Sequence, residues 1–204
     1  MLKKEIKTLF KNIRTGNAEQ VFLSIKANPE LANVCSSAPP KKDDGQSPLQ
    51  VSFKVGNFQI ADFLIDNGAK VSFVEQSTVN QWNAPVLHDC IMAVIYNSYT
   101  LSKEETRFEE GIRLLSRVLS QGADANAIDS YGNSALHRAI LDSKQMINHP
   151  SAAIENGILL SQLKRVFRLL IDAGADPTAS NATRPSPISF LSNFGLAKFE
   201  LLTF

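Results

Sequence analysis

The sequence predicts an all-α solenoid, in which antiparallel helix pairs stack side by side through short β-turn or hairpin connections. Three observations predict it. Three segments close an apolar helical run with glycine: Phe63-Leu-Ile-Asp-Asn-Gly68-Ala69, Val118-Leu-Ser-Gln-Gly122-Ala123-Asp124 and Leu170-Ile-Asp-Ala-Gly174-Ala175-Asp176. Four segments share one beginning: Gly45-Gln-Ser-Pro-Leu49-Gln50, Asn83-Ala-Pro-Val-Leu87-His88, Gly132-Asn-Ser-Ala-Leu136-His137 and Arg184-Pro-Ser-Pro-Ile188-Ser189. Beginning and ending occur together three times, which makes the chain an internal repeat.

Each motif has a physical reason. Glycine follows a helix end because the residue there usually needs positive φ, and Gly68, Gly122 and Gly174 supply it. Ser47 before Pro48 is a helix start, with serine capping and proline in the first turn. The spacing then varies. Leu49 to Gly68 spans 19 positions, Leu87 to Gly122 spans 35, and Leu136 to Gly174 spans 38. Two units therefore carry extra segments between their helices. The first insert is expected to be a loop near 97–100 plus an extension of the following helix. Ser102-Lys-Glu-Glu105 is a capping-box pattern, and Phe108, Ile112, Leu115 and Leu119 follow at helical spacing. The second insert, over 142–162, contains His149-Pro150 and Gly157. It is expected to be a loop followed by a long helix from about Ile158.

The ends complete the pattern. Residues 2–14 place Ile6, Leu9, Phe10 and Ile13 on one helix face and Lys3, Lys7, Lys11 and Arg14 opposite. A second helix is expected over 16–25. At the other end, 186–193 is expected to be a helix, 193–195 a break, and 196–204 a short closing helix.

These motifs resemble the ankyrin repeat, which opens with Thr-Pro-Leu-His-x-Ala and closes with Gly-Ala-Asp in about 33 residues. Ser134-Ala-Leu-His137-Arg-Ala139 is the nearest copy of the opening, and Gly45–Val71 follows the pattern without a gap. The resemblance covers nearly the whole chain as one domain, 1–204. Its repeats fall at approximately 1–34, 42–74, 80–126, 129–178 and 181–204. The last is a truncated cap, with Arg184 in place of glycine and no Gly-Ala-Asp. Five units in 204 residues average about 41 each, and the excess over 33 lies in the two inserts.

The resemblance implies where a partner would bind, on the turn tips and the exposed side of each first helix. Carried over position by position, it points to Asp43, Gln46 and Lys54, then Gln81, Trp82 and Ala84. Ser130, Tyr131 and Asn133 follow, and lastly Ala182, Thr183 and Pro185. Trp82 and Tyr131 stand out because both residue types are enriched in binding hot spots. It also implies that His88 and His137, after Leu87 and Leu136, hydrogen-bond neighbouring turn backbone and tie units together.

Composition narrows the function classes. Apolar residues make up 44% and charged residues 20%, ordinary for a globular chain. A net charge of +1 gives no global pull toward nucleic acid or anionic membrane. The N-terminal basic stripe reads as a solvated helix face and lacks the interleaved aromatics of a base-stacking surface. No signal-peptide or membrane-spanning run is present in the sequence, so a cytoplasmic location is expected. Two cysteines and three histidines exclude a disulfide framework and a four-thiolate zinc site. Cys90 reads as a core thiol. No base lies near Cys35 in the sequence. Asp43-Asp44, Asp124 and Asp176 read as turn formers. No P-loop, GxSxG, HExxH or EF-hand pattern occurs. The expectation is therefore a non-enzymatic protein-binding module with no cofactor and no metal. One alternative is an inhibitor or immunity-type protein occluding a toxin or enzyme, suggested by the lack of a second domain. The other is an enzyme or small-ligand binder in the second insert, using His149 and Glu155.

Overall fold

The structure is a computed structural model that describes residues 2–37 and 41–203. Its described residues form nine α-helices and no strand. They are α1 (Leu2–Arg14), α2 (Ala18–Ala27), α3 (Pro48–Lys54), α4 (Phe58–Asp66), α5 (Val86–Tyr96), α6 (Thr106–Ser120), α7 (Ala135–Ile147), α8 (Ile158–Asp172) and α9 (Pro187–Asn193).

Local chemistry sets the helix ends. Asn17, Ser47 and Asn57 each accept a backbone N–H from the third residue onward, capping α2, α3 and α4. Ser47 also completes a capping box with Gln50. Gly68, Gly122 and Gly174 close α4, α6 and α8 at φ of +82°, +92° and +89°. The next residue of each then donates back to the carbonyl five residues earlier, as Ala69 does to Leu64 at 2.9 Å.

Contacts between helices follow one rule. Each first helix touches the next first helix: α1 meets α3, α3 meets α5, α5 meets α7, and α7 meets α9. The second helices do the same, α2 with α4, α4 with α6, and α6 with α8. The first four of these first helices also pack on their own second helices, α1 on α2, α3 on α4, α5 on α6 and α7 on α8. One continuous apolar cluster runs from Leu9 to Leu201 and includes the fully buried Phe53, Phe108 and Phe167. No pair could hide that surface alone, so neighbours supply one another's core. Salt bridges link successive second helices on the outside: Arg113 reaches Asp62 at 2.7 Å and Arg165 reaches Glu109 at 2.5 Å.

The turns form a second ladder. The Gln76 N–H donates to the Gly45 carbonyl at 2.9 Å. The Ser130 N–H donates to the Trp82 carbonyl at 3.1 Å. Asn181 Nδ2 donates to the Gly132 carbonyl at 2.9 Å. The turns before α3, α5, α7 and α9 therefore lie in a row.

Two expectations are corrected here. Ser102 does not cap a helix. Lys103 takes φ +57°, which interrupts a right-handed helix, and α6 starts at Thr106 without a side-chain cap. The closing helix over 196–204 is absent in the described part. Gly195 (φ +70°) and Glu200 (φ +52°) are left-handed and leave only a 3-10 turn at Ala197–Phe199. Phe204 lies outside the described residues. The long helix after the second insert does begin at Ile158, on Gly157 at φ +74°. The two inserts meet: the Tyr99 N–H donates to Gln162 Oε1 at 2.7 Å, and Lys103 Nζ donates to the Ser151 carbonyl. No helix among the described residues is long and apolar enough to cross a membrane.

Candidate functional site

The sequence-selected surface residues divide by burial. Gln81, Trp82, Ser130, Tyr131 and Thr183 are exposed on the row of turns. Asp43, Gln46 and Asn133 are buried and serve as internal struts. Asp43 bridges Arg14 at 3.0 Å and Lys54 at 3.4 Å. Gln46 Oε1 accepts from Lys54 Nζ at 3.2 Å, and Asn133 Nδ2 donates to Asp129 Oδ2 at 2.9 Å. Lys54 is half-buried between these partners. Of the N-terminal basic stripe, Lys3, Lys7 and Lys11 remain exposed, while Arg14 turns inward to Asp43.

Trp82 and Tyr131 sit on neighbouring turns and meet edge to face, with ring centroids 6.0 Å apart. Both are about half exposed, at 45% and 52%. Asp129 organises this corner. Its Oδ1 accepts the Tyr131 and Asn133 backbone N–H groups at 2.9 Å each, and its Oδ2 accepts Trp82 Nε1 at 3.4 Å. Two rigid aromatic side chains are thus held facing solvent at little entropic cost.

Beside Trp82 a cleft of about 100 Å³ opens between the turns and the first helices. Helix α3 contributes Lys54, α5 contributes His88 and Asp89, and α7 contributes Arg138, while Glu75 comes from a turn. The sequence reading passed over Glu75, Asp89 and Arg138. A signal for two of them exists, because Asp89 and Arg138 each follow the Leu-His pair in successive units. Equivalent positions on adjacent first helices face the same groove.

His88 and His137 differ although their motifs match. The Ser134 N–H donates to His137 Nδ1 at 3.2 Å, and His137 Nε2 lies 2.8 Å from the Pro185 carbonyl. His137 thus ties two units together. His88 has Pro85 at the corresponding position, which offers neither an N–H nor a hydroxyl. His88 is only 3% exposed, and its ring nitrogens are closed off from solvent beside the Ala127 backbone of the segment before α7, without the close hydrogen bonds that His137 makes. Its nearest charged neighbour is Asp129 Oδ2, 3.9 Å from Nδ1. Burial drives the His88 pKa down to about 4, more than Asp129 raises it, so the ring is neutral at pH 7.

The carboxylates of the cleft are under-compensated. Burial lifts Asp89 to about 7, despite a 2.9 Å hydrogen bond from Gln50 Nε2 and the more distant Lys54 and Arg138. Burial also raises Glu75, against the Ala84 backbone, Asn80, Lys54 and Gln46. The cations are taken elsewhere: Lys54 by Asp43 and Gln46, Arg138 by Asp142 at 2.6 Å. A folded state that keeps the Asp89 proton loses stability as pH rises from about 4 to about 7. Asp89→Asn keeps an acceptor for Gln50. It is expected to raise unfolding free energy at pH 8 by on the order of 1–2 kcal/mol, the gain fading as pH falls toward 4. Urea melts at both pH values check this, and an equal gain at pH 4 would contradict it.

The remaining chemical candidates are placed as follows. Cys90 is fully buried, and burial pushes its thiol pKa up, which leaves it unreactive at neutral pH. Cys35 is half-buried, its thiol also raised by burial, 3.7 Å from Gln76 Oε1. His149 Nδ1 accepts the Ser151 N–H at 3.1 Å, and Glu155 is exposed. Asp124 Oδ1 and Asp176 Oδ1 accept backbone N–H groups two residues on, at 2.8 and 2.7 Å, as turn formers do. No group of three or more His, Cys, Asp or Glu among the described residues is placed to hold a metal ion. A search of the chain against models of known protein families finds no match.

Proposed function

We propose that this chain is a divergent ankyrin-type repeat scaffold that binds another protein without catalysing a reaction. The exposed, edge-to-face Trp82–Tyr131 pair on adjacent turns carries this reading. Buried struts such as Asp129 support both rings, so binding would order few side chains and lose little entropy. The first-helix and second-helix contacts between successive units are those expected of a repeat stack. The buried Asp43, Gln46 and Asn133 are assigned to turn structure, which leaves Gln81, Trp82, Ser130, Tyr131 and Thr183 as the partner-facing set.

The test is affinity capture from the native host, comparing wild type with Trp82→Ala and Tyr131→Ala. Each truncation removes a half-exposed ring, so melting temperatures should change little. Retention of the captured partner is expected to fall by about 30-fold, the equivalent of a 2 kcal/mol hot spot. Unchanged retention by both folded variants would exclude this ridge from the interface. Collapse of both variants into insoluble protein would make the rings structural.

A further inference from the structure

We infer that the partner presents an acidic protein segment, which lies along the lysine-rich face of α1 and the 3-10 turn Lys41–Asp43 beside it. The inference deepens the protein-binding reading and rests on it for the existence of a partner.

The net charge of +1 conceals an uneven distribution. Residues 1–54 hold nine Lys and Arg against five Asp and Glu, and residues 55–204 hold twelve against fifteen. Along the second part, Arg113, Arg117, Arg138 and Arg165 are engaged by carboxylates of their own or a neighbouring helix. The first unit differs. Lys3, Lys4, Lys7 and Lys11 on α1, with Lys41 and Lys42 on the 3-10 turn, are exposed, and their side chains make no ion pair or hydrogen bond among the described residues. Glu5 is the one acid on α1. Water solvates any single lysine well. Six at one end of the stack sum to a positive field that attracts an anionic partner and sets its orientation.

The fold joins these lysines into one surface. Lys3, Lys7 and Lys11 recur every four residues, so they run along one side of α1 for about 12 Å. Arg14 extends this line and ends on Asp43 at 3.0 Å. Lys54 reaches the same carboxylate at 3.4 Å and donates to the Lys42 carbonyl. Asp43 is buried between these two cations and is not open to Lys41 or Lys42. Asp44 accepts the Ser77 hydroxyl at 3.0 Å. Lys54 also lines the cleft that Trp82 borders. The basic face and the aromatic ridge are therefore parts of one continuous surface.

A protein segment fits this surface better than other polyanions. Beyond Lys54 the cleft carries Glu75 and Asp89. A phosphate backbone, charged at every nucleotide, meets repulsion there. A protein can confine its acids to one segment and set apolar groups against the Trp82–Tyr131 pair. A bilayer surface is held by apolar side chains that enter it, and Leu9, Phe10 and Ile13 of α1 are buried in the core.

The probe is a fluorescein-labelled decaglutamate peptide, titrated into the full chain and followed by anisotropy. Saturable binding is expected, weakening by about tenfold or more between about 0.05 and about 0.3 M salt. Lys7→Glu with Lys11→Glu, and separately Lys41→Glu with Lys42→Glu, should each weaken it by about tenfold or more, with circular dichroism unchanged. The second pair lies outside any α-helix, so it tests the surface even if the first pair disturbs α1. Lys70→Glu with Lys198→Glu changes net charge equally on other units and should alter binding by no more than about twofold. No saturation, equal weakening by the Lys70 and Lys198 pair, or undiminished binding by both folded face variants would each overturn the assignment. Tighter binding of a thymidylate decamer, or of phosphatidylserine vesicles, would overturn it in favour of nucleic acid or membrane. Partner capture separates the two readings. Capture lost in Trp82→Ala but unchanged in both lysine variants removes the acidic segment and keeps the ridge. Capture lost in the lysine variants but intact in the ring variants does the reverse.

Discussion

Gly45→Ala is expected to lower unfolding free energy by on the order of 3–5 kcal/mol, far more than the same change at Gly68. Gly45 lies at the first turn of the row with φ +74°, a left-handed conformation that an L side chain resists. Its N–H donates to the Ser36 carbonyl at 2.7 Å, and its own carbonyl accepts from Gln76 at 2.9 Å. A Cβ there would stand 2.1 Å from the Ser77 nitrogen and 2.4 Å from the Gln76 carbonyl carbon. Those are backbone atoms of the next turn, so relief requires the two turns to separate. Gly68 has φ +82° with nothing within 4 Å of an added Cβ. Its alanine variant should cost only the backbone strain, about 1–2 kcal/mol. Urea melts of the two variants check the difference. Equal losses would mean that the turns move apart freely and that the ladder adds little.

Arg138→Ala is expected to cost about 3–5 kcal/mol at pH 8, because it strands Asp142. The Asp142 side chain is fully buried, and Arg138 grips it through Nε and Nη2 at 2.7 and 2.6 Å. Burial already lifts Asp142 to about 6 with Arg138 in place. Without the guanidinium the folded carboxyl is held higher still, while the unfolded one stays near 4. The deficit is therefore complete above neutral pH and shrinks as pH falls toward 4, where both states carry the proton. Replacing both residues by apolar ones of similar volume should restore most of the loss, since the pair itself is worth little against a packed core. A deficit independent of pH between 4.5 and 8 would show that lost packing, and not the stranded carboxylate, sets the cost.

The positions of most helices were legible in the sequence because their signals are local. Ser47-Pro48 starts α3, Gly68, Gly122 and Gly174 stop three helices, and Gly157 precedes α8, all through short-range chemistry of φ and capping. Where a local signal misled, a non-local contact had intervened. Ser102 carries a capping-box pattern, but Lys103 is drawn to the Ser151 carbonyl of the other insert and takes positive φ. Trp82 and Tyr131 were legible because both map to the same register of successive units. Asp43, Gln46 and Asn133 map equally well, yet their side chains are buried against other groups of the chain, Asp43 on Arg14, Gln46 on Lys54 and Asn133 on Asp129 and Arg184.

The cleft was the least legible feature. His88 and His137 sit in the same motif, and only the environment divides them: Pro85 withholds the donor that Ser134 supplies. Gly111 is a second case. Within α6 it looks like a weakness, but a Cβ there would lie 2.9 Å from Phe58 and 3.2 Å from Val94, so its smallness lets α6 close on α4 and α5. Sequence alone determined the all-helical class and the alternation of starts and stops, since helix ends depend on neighbours a few residues away. Only the tertiary structure decided which polar side chains are struts and which face outward, and that His88, Asp89 and Glu75 line one cleft. Burial and pairing there depend on groups 30 to 50 positions apart in the chain, brought together when successive turns stack.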